Sequence, residues 1–311
     1  MNNNENPPLE GPLAKNTAQP QKHPYQVWVL AARPRTLPAA AAPVIVGSAV
    51  AYQDGTFSWG LALAALLAAL LLQIGANLAN DVFDYFRGAD SVERQGPVRV
   101  TQAGLLTPKQ VLTGVWVTFG LAALIGLYLA WAAGWAVLVL GGCAILAALA
   151  YTGGPVPYGY YGLGDVFVFL FFGVAAVVGT YYVQAKTVSA LSIWASIPMG
   201  FLITAILVVN NLRDIVTDRG AGKKTLAVRL GEKGARLEYL VCLVGAYLAP
   251  LLVAILDLAS FWVLLTWLTI PIAVHWTRRV SHETGGLLNQ SLAGTGQLVL
   301  FFALMFSLGL I

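Results

Sequence analysis

Charge is scarce in this chain. Asp, Glu, Lys and Arg together make up 10% of its 311 residues, where a soluble globular chain carries about 25%. Hydrophobic residues reach 58% and the mean hydropathy is +0.72. That balance excludes an ordinary soluble domain and places the chain in a bilayer. Cysteine is nearly absent: Cys143 and Cys242 each sit inside an apolar run, which supports neither a disulfide framework nor a cysteine metal site. Histidine occurs only as His23, His275 and His282, without ligand spacing, so a zinc site lacks its donors. Long polar stretches are missing beyond residue 24, which excludes an inserted soluble domain. Residues 1–24 are rich in Asn, Pro, Gln and Lys and lack a hydrophobic centre. They form neither a signal peptide nor a core-forming segment, and read as a disordered cytoplasmic tail before a single membrane domain over 25–311.

What is present is a series of apolar runs near the ~20 residues that cross a bilayer as helix. They fall at about 27–52, 57–84, 110–131, 135–152, 163–183, 190–211, 237–256, 258–276 and 289–310. The expected fold is all-α, a polytopic bundle of nine transmembrane helices. Breaks fall at Asp54-Gly55, Gly96-Pro97, Gly153-Gly154-Pro155 and Gly285-Gly286, dipeptides that punctuate helices. With nine spans, 17 of the 18 Lys and Arg residues share one face and Lys186 alone lies opposite. By the positive-inside rule that face is cytoplasmic. The net charge of +4 therefore reflects topology, and membrane lipid rather than nucleic acid is the expected surrounding.

Two acidic knots close apolar runs on that face. The first runs from Gln73 to Asp90 and carries Asn77, Asn80, Asp81, Asp84 and Asp90; the second is Asn210-Asn211-Leu212-Arg213-Asp214-Ile215-Val216-Thr217-Asp218. Carboxylates at the mouth of a membrane helix are costly and mark function. Asn80 and Asp84 are four apart, as are Asp214 and Asp218, so each pair shares one helix face. Asn77 lies one turn before Asp81, and Asp90 can fold back from the Gly88 turn. Two incomplete carboxylate sets facing each other suit Mg²⁺, which takes oxygen ligands and completes its shell with water and substrate phosphates. The bland alternative is a pair of solvated loops whose acids pair with Arg87 and Arg213. Arg94 and Arg99 after the first knot, and Arg213, Arg219, Lys223, Lys224 and Arg229 in and after the second, are placed to neutralise phosphate oxygens. Arg33-Pro34-Arg35 is either a third contributor or a membrane-surface anchor.

Two further groups stand out. Tyr151, Tyr158, Tyr160, Tyr161, Phe167, Phe169, Phe171 and Phe172 cluster around the fourth connection and fifth span. Most are ordinary belt aromatics; one or two could offer a π face to a cation. Asp165 could act as a general base or cap a helix N-terminus.

Together these motifs resemble the UbiA superfamily of intramembrane prenyltransferases. Asn80-Asp81-Val82-Phe83-Asp84, Gly88-Ala89-Asp90 and Asn210 to Arg219 carry the two aspartate-rich motifs. Arg33 to Pro38, Gly96 to Arg99, Pro157 to Asp165 and Gly222 to Gly231 are most similar to the branch acting on 1,4-dihydroxy-2-naphthoate. One departure is Gly88, where many members carry an Asp; Asp90 follows two residues later. The resemblance implies nine helices around a central cavity and two Mg²⁺ ions gripping the diphosphate of a polyprenyl donor. It implies Asn80, Asp84, Asp90, Asp214 and Asp218 as metal ligands, with Asp84, Asp214 and Asp218 in catalysis; Asp165 joins them if it serves as the base. Asn77, Asp81, Arg99, Arg213, Lys223 and Lys224 would contact diphosphate, and Tyr151, Tyr158, Tyr160 and Tyr161 the acceptor or cation pocket. The implied reaction joins a polyprenyl chain to 1,4-dihydroxy-2-naphthoate at the inner cytoplasmic membrane, giving demethylmenaquinol with loss of diphosphate and CO₂. The rivals are a sister enzyme using another acceptor, such as 4-hydroxybenzoate or homogentisate, and an ion-coupled transporter.

Overall fold

The structure is a computed structural model that describes residues 23–89 and 95–311. Asp90 and Arg94 lie outside the described residues, as do positions 1–22 of the expected tail. All regular structure among the described residues is helical. In chain order the α-helices are α1 (Pro24–Ala32), α2 (Pro38–Gln53), α3 (Trp59–Phe86), α4 (Pro108–Ala133), α5 (Ala136–Ala150), α6 (Gly164–Val168), α7 (Ala176–Ala185), α8 (Ala190–Arg213), α9 (Ile215–Gly220), α10 (Leu226–Ile255), α11 (Ile270–His282) and α12 (Leu288–Leu310). A π-helical stretch, Phe169–Ala175, joins α6 to α7.

All nine expected segments are helical, but nine clean crossings are not what the described residues contain. Six helical segments are long and apolar enough to span, including Gly164–Ala185 as one continuous segment. The first expected span is a pair, Pro24–Thr36 and Pro38–Gln53, bent by 54°. The bend has a local cause. Arg33 is left-handed at φ 53°, and Pro38, the first residue of α2, has no N–H to continue the preceding turn. Ala136–Ala150 is shorter than a full span, and Phe261–Thr269 winds as 3₁₀ helix before α11.

Helix ends follow their sequence signals. Thr107 and Gln110 make a capping box at the start of α4, with Pro108 at the first helical position, an arrangement that satisfies otherwise orphaned amides. Ser189 caps α8 through the amide of Ser192. Large apolar side chains such as Leu63, Leu67, Leu124, Trp131 and Leu248 point outward, as expected where the surroundings are lipid rather than water.

The most buried helix, α8, is packed by α2, α7, α10 and α12. It meets the π-helical stretch backbone to backbone: a methyl group on Gly173 would sit 2.4 Å from the Cα of Gly200. Small residues are what let membrane helices approach this closely. Gly173→Leu is therefore expected to cost more than the ~1–3 kcal/mol of ordinary overpacking and to abolish the monodisperse peak in size-exclusion chromatography. Gly120→Leu, at a position with open space around it, is expected to leave that peak intact.

Candidate active site

The bundle encloses a cavity of about 950 Å³. Its walls are largely apolar, with Leu72, Leu129, Ile145, Phe171, Ile203 and Leu207 among them, while one end carries Asn80, Asp84, Arg99, Asp214, Asp218 and Lys223. The C-terminal ends of α3 and α8 supply that ionic end, so the two acidic knots converge. Lys223 Nζ lies 3.3 Å from Asp84 Oδ1 and 3.8 Å from Asp218 Oδ1. One ammonium group thus joins the knots.

Asp84 is the hub. Its carboxylate is buried and accepts hydrogen bonds from Arg99 Nη2 at 2.8 Å and the Tyr160 hydroxyl at 2.7 Å. Asp81, three residues earlier, turns to another task. It accepts from the amides of Val100 and Thr101 at 3.1 and 3.0 Å, with Arg33 Nη2 at 3.8 Å. Asp81 thereby fixes the chain that presents Arg99 to Asp84.

In the second knot, Arg213 folds back on its neighbour. Its Nε and Nη2 donate to Asp214 at 2.9 and 2.5 Å, a bidentate pair. The same guanidinium reaches Asn210 Oδ1 at 2.9 Å and Asn289 Oδ1 at 3.0 Å. Arg213 therefore lines the cavity with its donors directed at Asp214, Asn210 and Asn289. Asp218 faces the cavity one turn beyond, near Lys223.

The break between α1 and α2 supplies a third wall: Arg33, Arg35 and Thr36 all line the cavity. Asn77 holds this break in place by donating to Ala32 O and Thr36 Oγ1, both at 3.0 Å. Asn80 accepts from Thr152 Oγ1 at 3.0 Å.

The connection between α5 and α6 closes over the mouth. Arg87 donates to the carbonyls of Thr152 and Gly154. Lys224 N donates to Tyr160 O at 2.8 Å, and Arg229 Nη2 to Tyr161 O at 2.9 Å. Tyr151, Tyr158 and Tyr160 line the cavity. Tyr158 stacks on Phe167 at 4.1 Å and stands edge-on to Tyr151 at 5.4 Å. Burial pushes the Tyr158 phenol up, because the phenolate would lose its hydration.

Four expected site residues do not reach the cavity lining among the described residues: Asp81, Tyr161, Asp165 and Lys224. Tyr161 and the Lys224 side chain are exposed. Asp165 is buried, and among the described residues neither of its carboxylate oxygens has a hydrogen-bond partner. Conversely, Asn289 is a cavity-lining residue that spacing did not reveal. It links Arg213 to Gln95 O at 2.9 Å; its only signal was polarity at the head of an apolar run.

Every candidate metal donor here is an oxygen. Among the described residues no group of three or more His, Cys, Asp or Glu is arranged to hold an ion by itself. That chemistry fits Mg²⁺, which is held by one or two carboxylates, water and substrate phosphates.

The fold and site define an intramembrane helical bundle around an amphipathic cavity, apolar within and ionic at one end. The chain belongs to the UbiA prenyltransferase family, whose sequence profile matches residues 40–308. It is 43% identical over 264 residues to the 1,4-dihydroxy-2-naphthoate octaprenyltransferase of Escherichia coli (strain K12), covering 83% of this chain and 86% of that one. It is 42% identical to the enzyme of the same name from Mycobacterium tuberculosis, covering 90% and 95%. Its fold resembles a UbiA homolog from Archaeoglobus fulgidus bound to GPP and Mg²⁺, with TM-score 0.63, 14% identity, and coverage of 90% and 99%.

Proposed function

We propose that this protein transfers a polyprenyl chain from an allylic polyprenyl diphosphate to 1,4-dihydroxy-2-naphthoate, with its active site at the cytoplasmic face of the inner membrane. The observation that carries the reading is the convergence of Asp84 and Asp218 on one cation at the ionic end of an apolar cavity. The similarity to enzymes named for that acceptor supports the choice of substrate.

Asn80, Asp84, Asp214 and Asp218 would hold Mg²⁺ through their oxygens. Bound Mg²⁺ supplies positive charge to the leaving diphosphate. Arg99 and Lys223 add cationic donors for the phosphate oxygens, where fixed charges act most strongly on developing charge. Asp81, Asn77 and Lys224 act as positioners: Asp81 holds the Arg99 segment, Asn77 the α1–α2 break, and the Lys224 amide the Tyr160 loop. The prenyl tail fits the apolar end of the cavity, which keeps water from the allylic cation.

In the reaction the allylic C–O bond breaks, with both electrons leaving on diphosphate. The ring carbon bearing the carboxylate then forms the new C–C bond. CO₂ departs and its bonding electrons restore the aromatic ring. Tyr151 and Tyr158 present electron-rich faces to the cationic stage. Arg33 and Arg35 give the wall a positive character suited to an acidic acceptor.

The test is incubation of purified protein with Mg²⁺, a polyprenyl diphosphate and a panel of aromatic acceptors, scoring prenylated product and CO₂. 1,4-Dihydroxy-2-naphthoate is expected to give both. Preference for 4-hydroxybenzoate or homogentisate would redirect the assignment to a sister enzyme. EDTA is expected to reduce turnover to background, with recovery on excess Mg²⁺; full activity in EDTA would remove the metal from this account.

A further inference from the structure

Among the described residues, three cations that meet the acidic knots are held in different ways. Arg213 grips Asp214 with two donors at 2.5 and 2.9 Å, and Arg99 meets Asp84 at 2.8 Å. These are tight, charge-assisted contacts. Lys223 is different. Its ammonium stands 3.3 and 3.4 Å from the oxygens of Asp84 and 3.8 Å from Asp218, contacts at the long end for an ion pair. It also lies 4.7 Å from the centre of the Tyr160 ring, which attracts it by its π face. Its backbone, by contrast, is anchored on both sides: Lys223 N donates to Asp218 O at 2.9 Å, and Lys224 N to Tyr160 O at 2.8 Å. A fixed backbone with a loosely held ammonium on a flexible four-carbon stem makes a charge that can be displaced without moving the loop.

The position matters because it is the point both knots address. We infer that Lys223 is an internal stand-in for the divalent ion, holding the gap between Asp84 and Asp218 until metal arrives together with diphosphate. A free divalent cation must enter against this ammonium and the Arg99 guanidinium, and no cluster of three acidic or imidazole groups among the described residues compensates it. A metal–diphosphate pair brings its own anion. The ammonium then has phosphate oxygens to move to, and the side of each carboxylate that faced it turns to the metal, while Arg99 and Tyr160 stay on Asp84. Lys223 thus sets the order of loading, and with it selectivity for metal-bound diphosphate over free metal. This inference rests on the proposed function, since it requires a metal–diphosphate ligand.

The test uses the full chain, purified in detergent, with Mn²⁺ replacing Mg²⁺ and free Mn²⁺ read by electron paramagnetic resonance. Without diphosphate, wild type is expected to bind Mn²⁺ weakly, and Lys223→Met to bind it about tenfold or more tightly, since removing one nearby charge is worth at least that much. Lys223→Arg, which keeps the charge, should behave as wild type. Lys223→Gln provides a second neutral variant if the Met protein melts early. Adding inorganic diphosphate should make wild type bind Mn²⁺ as well as the neutral variants do. Equal affinity of wild type and both neutral variants for free Mn²⁺ would overturn the inference while leaving prenyl transfer intact. Failure of wild type to bind Mn²⁺ even with diphosphate would sink the metal–diphosphate reading and this inference with it.

Discussion

Asp84→Ala is expected to lower turnover by at least about a hundredfold, the loss typical when one group stabilising developing charge is removed. Asp84 collects Arg99, Tyr160 and Lys223 on one buried carboxylate. Its removal takes away a metal donor and leaves those three groups without the acceptor that aligns them. Asp84→Asn separates the two effects. An amide of the same size still accepts a hydrogen bond from Tyr160 but carries no charge for an ion or for Lys223. The account expects Asn to be nearly as inactive as Ala, measured as kcat/KM for the polyprenyl diphosphate with acceptor saturating. Near-wild-type kcat/KM in the Asn variant would mean that Asp84 orders the loop rather than grips the ions.

Among substitutions at the site, the largest expected effect on stability comes from Arg213→Met. Arg213 and Asp214 are both buried and joined bidentately. Removing one partner of such a pair costs about 3–5 kcal/mol, because the other charge keeps its desolvation penalty. The variant also removes donors from Asn210 and Asn289, which tie the second knot to α12. Thermal denaturation in detergent should show a marked drop in melting temperature. Arg213→Met, Asp214→Met should melt above Arg213→Met alone, since it also removes the buried carboxylate that faced the guanidinium, while remaining inactive. A double variant no more stable than the single would argue that the pair is not the source of the loss.

Much of this was legible in the residues. The four-residue spacing in Asn80/Asp84 and Asp214/Asp218, with the one-sided distribution of Lys and Arg, placed both knots on one face and facing each other. Low charge and long apolar runs indicated the all-helical membrane bundle. What spacing could not show was which partner each polar group satisfies. Asp81 shares the first knot with Asp84 but points to the amides of Val100 and Thr101; helical periodicity separates the two faces without naming what lies across from them. Arg213 read either as a phosphate ligand or as a partner of the knot's acids, and its nearest acceptor is Asp214. Asn289 comes from a distant helix and no motif surrounds it. The interrupted first span was hidden for a different reason: hydropathy averages over Arg33-Pro34-Arg35, whereas the backbone breaks there. Asp165 drew notice as a carboxylate in an apolar setting; it is buried on α6, which packs on α8, and it does not line the cavity.

The central claim is that the ends of α3 and α8 share divalent ions that grip a diphosphate. The most direct measurement is an anomalous-scattering map from crystals grown with Mn²⁺ and a non-reactive polyprenyl thiolodiphosphate. Mn²⁺ peaks between Asp84 and the Asp214–Asp218 pair, bridged by the diphosphate, with Lys223 moved onto phosphate oxygens, are the expected result. Peaks confined to one knot, or a diphosphate bound with no ion between the two, would contradict it.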